Sequence, residues 1–521
     1  MTVYRDKSKI VDIIALMVII LAGIAMLYLW HLNPEFRTTY VGDSFVDANQ
    51  YIPGANFNQS GFLKLHFVAD LAVGPKEYHP FYYTHNPPLS EIINGFYHKL
   101  GLVRINQQRL VCIIWTLLGL FFLYAFLRLL VGRLIAVCSL IFIVTNPHFL
   151  YWGDNLFGSH QLMFIFASIY FLLRYTRQRS VIFFILAWCS FFCASFCNYA
   201  LILLIALFAI GLRLFQLERL SRRNLFIFLS AGLIAFCLRN LQVISVIGYH
   251  AWYCDLIEIL LHRTFAITTP LAKVYEKLPI LLWVNRPQIS IGYPWLLYLR
   301  LEALYGYGWS LLLVALAFPF ARRRLLPKKL ALKLYHLIVL FFVMGTLWYI
   351  LFPQHTSDHF HSFVMLLFLP FASLIWGSVL VGVWQNTKLK PVRILFVLII
   401  LIAIGAARIQ NFVPPKPFPG IQTLKKYEGK IFATNCIPPL VEYYTKAPAA
   451  FCDNKERFDN LLQGKYEFHL DKDYATLIHP DFFFNVSGKG LWQGDYFISE
   501  HYPLVEYGIG YSIYDLQPRN K

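Results

Sequence analysis

Charge is what this chain has least of. Only 14% of its 521 residues are charged, and acids are the scarcer sign, 28 against 46 lysines and arginines. That excludes an ordinary soluble globular protein, in which roughly 25% of residues are charged. The sequence has no phosphate-cradling glycine loop and no P-loop, so the usual glycine-built devices for holding a nucleotide phosphate are excluded. It has no internal repeat or low-complexity run, and without repeated halves the commonest transporter folds lose support. The first apolar run ends in Leu29-Trp-His-Leu-Asn-Pro34 with no small-residue cleavage site, so it reads as a retained span and not as a removed signal. Cysteines number nine. Those in or beside apolar runs read as small buried hydrophobes. Cys436 and Cys452 lie in the tail, where a disulfide is permitted, and pairing stays open.

What is abundant is apolar surface: 58% of residues are hydrophobic and 17% aromatic. Apolar runs of about twenty residues, the length that crosses ~30 Å of hydrocarbon as helix, recur along the chain. They mark about eleven spans, near 11–30, 110–130, 134–151, 160–173, 181–196, 199–215, 225–248, 308–321, 334–352, 362–383 and 393–409. Such runs must be helical, because lipid offers the backbone no hydrogen-bond partners. The net charge of +18 sits in clusters such as Arg5/Lys7/Lys9, Arg128/Arg133, Arg174/Arg177/Arg179, Arg213/Arg219/Arg222/Arg223 and Arg322/Arg323/Arg324, one in every second connection. This is the positive-inside pattern and not a nucleic-acid surface. It puts the N-terminus in the cytoplasm and the C-terminus outside.

The expected fold is therefore an all-α polytopic membrane domain over residues 1–410, with interfacial helices in a first outside loop at 37–109. Past the stiff Pro414-Pro415-Lys-Pro417 linker, residues 411–521 form a small α/β extracytoplasmic domain. Strands are expected at Lys430–Asn435, Tyr496–Ser499 and Ser512–Leu516, with a helix starting at Pro439.

Topology gathers the chemistry-bearing groups outside: Asp43, Asp47, Asp154, Asp255, Glu258, Glu302 and Asp358, with His85, His160, His355, His359 and His361. Asp47-Ala-Asn-Gln-Tyr51 opens an interfacial helix, whose dipole alone favours an acid in the first turn. Asp43 after Gly42 suits a turn or a cap. His355, Asp358, His359 and His361 have helical ligand spacing in part, but the turn is short, and substrate hydrogen bonding or packing is the expected role, with no metal assigned.

Asp-x-x-x-Tyr just past the first span, followed by Tyr83-x-x-x-Pro87-Pro88-Leu89 and a second span, resembles the glycosyltransferase C superfamily. Within it the likeness is to protein O-mannosyltransferase-like and aminoarabinose-transferase-like enzymes. Arg109, Gly132-Arg133, Asn146-Pro147, Trp152-Gly-Asp154-Asn155 and, more loosely, His359-Phe-His361 with Leu369-Pro370 extend it. The resemblance implies a polyprenyl-phosphate sugar as donor and a lipid, polysaccharide or protein as acceptor. It also implies Asp47 as the catalytic acid-derived base and Asp154 as a second acid, and it leaves a divalent ion open. The usual Asp-Glu pair is Asp47-Ala48 here, and Asn86 stands where a basic residue precedes Pro-Pro, so Asp43 remains a rival. It leans toward a bacterial inner membrane.

The chemistry asks for few groups. One carboxylate suffices to take the acceptor hydroxyl proton, a role worth ~10²–10⁴ in rate. A phosphate leaves without protonation, so the second carboxyl of a glycosidase is unnecessary, and one carboxylate on one face implies inversion at the anomeric carbon. The leaving phosphate calls for a cation. Arg239 and Arg263 are the candidates, with His262 and Lys273 behind them; Tyr51, His85 and His359 would line the sugar pocket. A transporter or flippase of a lipid-linked saccharide is the rival, but it calls for acids within spans.

Overall fold

The computed structural model describes residues 2–32, 43–73, 82–84, 86–146, 149–150, 153–265, most of 332–347, 369–386, 420–434, 438–452, 455–462, 480–486, 501–508 and 511–517. In chain order the helices are α1 (Thr2–Leu32), α2 (Asp43–Ser60), α3 (Leu89–Lys99), α4 (Ile105–Val131), α5 (Arg133–Val144), α6 (Gly158–Gln178), α7 (Val181–Cys197), α8 (Ala200–Leu214), α9 (Arg222–Phe265), α10 (Leu369–Asn386), α11 (Pro438–Thr445) and α12 (Lys455–Leu462). The strands are β1 (Ala69–Asp70), β2 (Tyr82–Tyr83), β3 (Phe432–Thr434), β4 (Ala449–Phe451), β5 (Phe482–Val486), β6 (Leu504–Gly508) and β7 (Tyr511–Asp515). Two compact units result. One comprises Met1–Pro34 with Arg109–Pro414, the other Glu35–Gln108 with Pro415–Lys521.

In the first unit, helices occupy the first seven expected spans and the tenth. The eighth and eleventh lie outside the described residues. Among the described residues, three segments are long and apolar enough to cross a membrane: Lys9–His31, Ile105–Val131 and Arg222–Ile257. The third expected span, 134–151, is shorter than its apolar run, because α5 ends at Val144. The cause is local: Asn146 precedes Pro147, which disfavours helical backbone at the residue before it. Gly132, at φ 92°, makes the turn between α4 and α5, and Gly248, at φ 81°, kinks α9. Both are conformations that glycine adopts without strain. At Gly377 of α10 an added Cβ would lie 2.6 Å from Ser139 Oγ and 2.9 Å from Ser139 N of α5. Small residues thus let two apolar helices approach closely, a common membrane packing device.

At one end of this unit the few acids pair with arginines. Asp12 of α1 accepts from the Tyr124 hydroxyl at 2.6 Å and is bridged by Arg128 at 3.2 Å and Arg133 at 3.1 Å. Glu218, after α8, meets Arg177 at 2.8 Å and Lys333 at 3.6 Å. Arg177 also donates to the Leu129 carbonyl at the end of α4. The connections 129–133, 177–179 and 213–222 therefore converge at one end of the unit.

The second unit joins the first loop to the tail. Its five-stranded sheet runs β4-β3-β5-β7-β6, with β3 parallel to β4 and β5, and β7 antiparallel to β5 and β6. Ala433, Ala450, Phe458, Phe483 and Tyr514 build its core. The expected strand at Lys430–Asn435 appears as β3, the helix at Pro439 as α11 starting one residue earlier, and the strand at Ser512–Leu516 as β7. The one expected at 496–499 lies outside the described residues. β1 pairs with β2 over two residues.

Candidate active site

The first-loop acids lie on α2, which starts four residues before the expected Asp47, at Asp43. Asp43 is thus the first helical residue and Asp47 lies one turn on. Negative charge is favoured at both positions by the helix dipole. Asp47 is fully buried, at 0% exposure, although it belongs to a polar loop. Next to it on the helix, the Gln50 side-chain amide donates to Glu91 Oε1 at 2.9 Å, which ties α2 to α3. The Pro87-Pro88 turn serves as the entry to α3, with Pro88 at its N-cap, a place where a missing N–H costs nothing. Asn86 donates to the Tyr83 hydroxyl at 3.2 Å, whereas His85 lies outside the described residues.

The α2–α3 crossing carries buried polar groups beside the apolar contact of Phe57 with Gly95. Ser90, Glu91, Asn94 and His98 form a buried stripe along α3. Sequence reasoning missed all of them, and the one available signal was their three-to-four-residue spacing. At the crossing, a Cβ on Gly54 would lie 3.0 Å from Asn94 Cβ and 3.2 Å from Gly95 N. Only glycine allows this approach.

Tyr51 stands one turn beyond Asp47 on the same face of α2. Its hydroxyl donates to the Val103 carbonyl at 2.7 Å, and burial pushes its pKa up to about 12. Its ring meets His98 edge-on at 4.8 Å and Tyr443 of α11 at 5.0 Å. Burial lowers the His98 pKa to about 4, against a hydrogen bond to the backbone of Tyr51 that raises it and a nearby Lys446 that lowers it. That imidazole is neutral at pH 7.

The other expected residues lie in the first unit. Asp154 is 4% exposed, in the turn before α6. The turn is held by Thr116 of α4, which donates to the Gly153 carbonyl at 2.7 Å. It is also held by Asn155 Oδ1, which accepts from Phe157 N at 3.0 Å and Gly158 N at 2.8 Å. Arg239 is fully buried in α9. Its guanidinium hydrogen-bonds Tyr199, beside which Asp255 also lies. A buried arginine so placed is partnered and is not snorkelling to headgroups. Arg263 lies on the last turns of α9. His359, with the neighbouring histidines, lies outside the described residues. Among the described residues, no group of three or more His, Cys, Asp or Glu side chains is arranged to hold a metal ion.

Residues 85–241 match the model of the dolichyl-phosphate-mannose-protein mannosyltransferase family. No curated protein matches the chain. Among solved structures, the apo oligosaccharyltransferase of Archaeoglobus fulgidus superposes with a TM-score of 0.51 at 14% identity, covering 91% of this chain and 69% of the other. The same organism's oligosaccharyltransferase AglB, in complex with an inhibitory peptide and a dolichol-phosphate, gives 0.49 at 13% identity, with 91% and 69% covered. ArnT from Cupriavidus metallidurans gives 0.41 at 12% identity over 95% and 97%. The last two likenesses are too slight to argue from. The matched family is one of glycosyltransferases and does not favour the transporter reading. Residues 85–241 are thus similar to a family of glycosyltransferases, within a fold that the chain shares with an oligosaccharyltransferase.

Proposed function

We propose that the chain transfers one sugar, a hexose or a pentose, from a polyprenyl-phosphate donor to a hydroxyl acceptor at the outer face of a membrane. The observation that carries this reading is the placement of Asp47: a fully buried carboxylate on the first helix past the first span, ahead of the segment that matches the mannosyltransferase family. Asp47 takes the acceptor hydroxyl proton as its oxygen attacks the anomeric carbon. The carbon–oxygen bond to phosphate breaks, polyprenyl phosphate leaves with the electron pair, and the configuration inverts. Asp43, one turn earlier, is the alternative base. Asp154 supports the acceptor or orders the site, Arg239 or Arg263 receives the phosphate charge, and Tyr51, His85 and His359 line the sugar pocket.

The membrane part is read as about eleven helices, with the tail as an extracytoplasmic α/β domain and a bacterial inner membrane as the location. The acceptor is a lipid, a polysaccharide or a protein, and a divalent ion is not required by the steps above. Purified protein incubated with polyprenyl-phosphate mannose and polyprenyl-phosphate arabinose should release polyprenyl phosphate from one of them. Asp47→Asn should lower that release by ~10²–10⁴ while the protein still inserts. Full release by Asp47→Asn would sink the assignment, and loss in Asp43→Asn alone would move the base to Asp43.

A further inference from the structure

Along α2, the face that carries Asp47 continues through Tyr51, Ala55 and Gln59, at four-residue steps. From Tyr51 onward this face borders a cleft of about 700 Å³ inside the second unit. That volume falls within the ~300–1,000 Å³ typical of small-molecule sites. The loop side of the wall is Tyr51, Asn56, Asn58, Gln59 and His98; the tail side is Glu428, Glu442, Tyr443 and Lys446. Tyr51, His98 and Tyr443 meet edge to face and give the cleft an apolar back.

The polar groups around that back have a definite hydrogen-bonding character. Asn56 commits its amide nitrogen to the Asp70 and Ala72 carbonyls at 2.7 and 2.8 Å, which leaves its oxygen as an acceptor. Asn58 and Gln59 are exposed and each offers a donor beside an acceptor. His98 is 6% exposed, and its Nε2 has no hydrogen-bond partner among the described residues. Glu442 accepts from Ala449 N at 3.1 Å and is otherwise buried. Burial pushes its pKa up to about 8, against the lowering effect of that hydrogen bond, so its carboxyl is largely protonated at neutral pH.

Charge then decides among ligands. Among the described residues Lys446 is the one cation in the wall; it packs over the Tyr443 ring at 4.4 Å and feels both the opposite charge of Glu428 and the like charge of Lys425, which lies outside the wall. With Lys446 matched by Glu428 in the wall, and His98 and Glu442 neutral, the described wall residues carry no net positive charge with which to hold a phosphate. A ring of hydroxyls, each both donor and acceptor, with apolar C–H faces, fits the arrangement.

We propose that this cleft is a binding site for a neutral sugar ring, seated against Tyr51 and Tyr443 and hydrogen-bonded by Asn58, Gln59 and the Asn56 oxygen. The sugar belongs either to the acceptor or to the donor, and this origin rests on the transfer reading above.

The test uses the full chain in detergent with four probes, the methyl glycosides of glucose, galactose, mannose and N-acetylglucosamine, read by saturation-transfer difference NMR. At least one should receive saturation, and inorganic phosphate should not displace it. Tyr443→Ala and the surface pair Asn58→Ala/Gln59→Ala should each weaken the binding about tenfold. The surface pair, on exposed positions, keeps the test valid if Tyr443→Ala fails to fold. No saturation of any probe, equal binding by the surface pair, or displacement by inorganic phosphate would overturn the proposal. Polyprenyl-phosphate mannose added at saturation displaces the glycoside if the site holds the donor sugar, and leaves it bound if the site holds the acceptor. Glycoside binding by a protein that releases no polyprenyl phosphate from any donor would sink the transfer reading and leave the cleft standing.

Discussion

Two buried side chains in the second unit titrate in opposite senses and set a pH signature. Glu442 has its pKa raised from 4.5 to about 8 by burial, so the folded state holds its proton where the unfolded chain has lost it. Its stabilising share is complete below pH 4.5 and disappears as pH rises to about 8, a span worth roughly 4–5 kcal/mol. His98 is lowered from 6.5 to about 4, chiefly by burial. Its share is complete above pH 6.5 and is lost as pH falls toward 4. Between 4.5 and 6.5 the two slopes oppose each other, while above 6.5 only Glu442 acts. The apparent Tm of the full protein should therefore fall from pH 6.5 to 8, and in Glu442→Gln it should stay level over that interval. A parallel fall in the variant, followed by circular dichroism, would remove Glu442 as the cause. Neither residue was legible as a site residue in the sequence. Glu442 lies in an ordinary helix start and His98 near the end of α3, and both are buried by parts of the chain more than three hundred residues apart. Asp47 stood out as a candidate in the sequence because its spacing from Tyr51 and from the Pro-Pro turn is local.

At the scale of elements, α2 decides where that acid stands. Its approach to α3 depends on Gly54, where a Cβ would lie 3.0 Å from Asn94 Cβ, 3.1 Å from Asn94 C and 3.2 Å from Gly95 N. Two of those neighbours are backbone atoms, so the helix itself must give way. Pro53, inside α2, already withholds a backbone donor there. Gly54→Ala should cost about 1–3 kcal/mol of stability, as overpacking does. By shifting the segment that carries Asp47, it should also cut transfer more than it lowers donor affinity. Measuring kcat and donor KM beside the Tm separates the two effects; a lower Tm with unchanged kcat would show that the crossing does not set the position of Asp47. Helix periodicity placed the α-helices well because long apolar runs carry their own signal. It gave α5 too many residues where a proline followed, and it had no access to β4, β5 or β6, whose short runs take their order from long-range pairing.

For the whole molecule, the proposed chemistry requires the first loop and the basic connections to be on opposite sides of the membrane. The inside assignment began as a count of arginines between apolar runs. The structure adds that Asp12 and Glu218, acids within or beside those runs, pair with Arg133 and Arg177 of the same connections. Such partly exposed bridges contribute little energy, ~0–1 kcal/mol each, so their value lies in showing that the connections share an end. Exposed Asn58, on α2, and exposed Arg219, between α8 and α9, then report the two sides. In spheroplasts, Asn58→Cys should react with a membrane-impermeant maleimide above the labelling of the unsubstituted chain. Arg219→Cys should react only after permeabilisation. The reverse pattern would turn the protein over and leave Asp47 facing the cytoplasm. A polyprenyl-phosphate sugar would then have to be used on the side where it is made, with no step that carries it across. Labelling of both positions without permeabilisation would show that the 213–222 connection is not inside, and the arginine count would lose its meaning as a guide to topology.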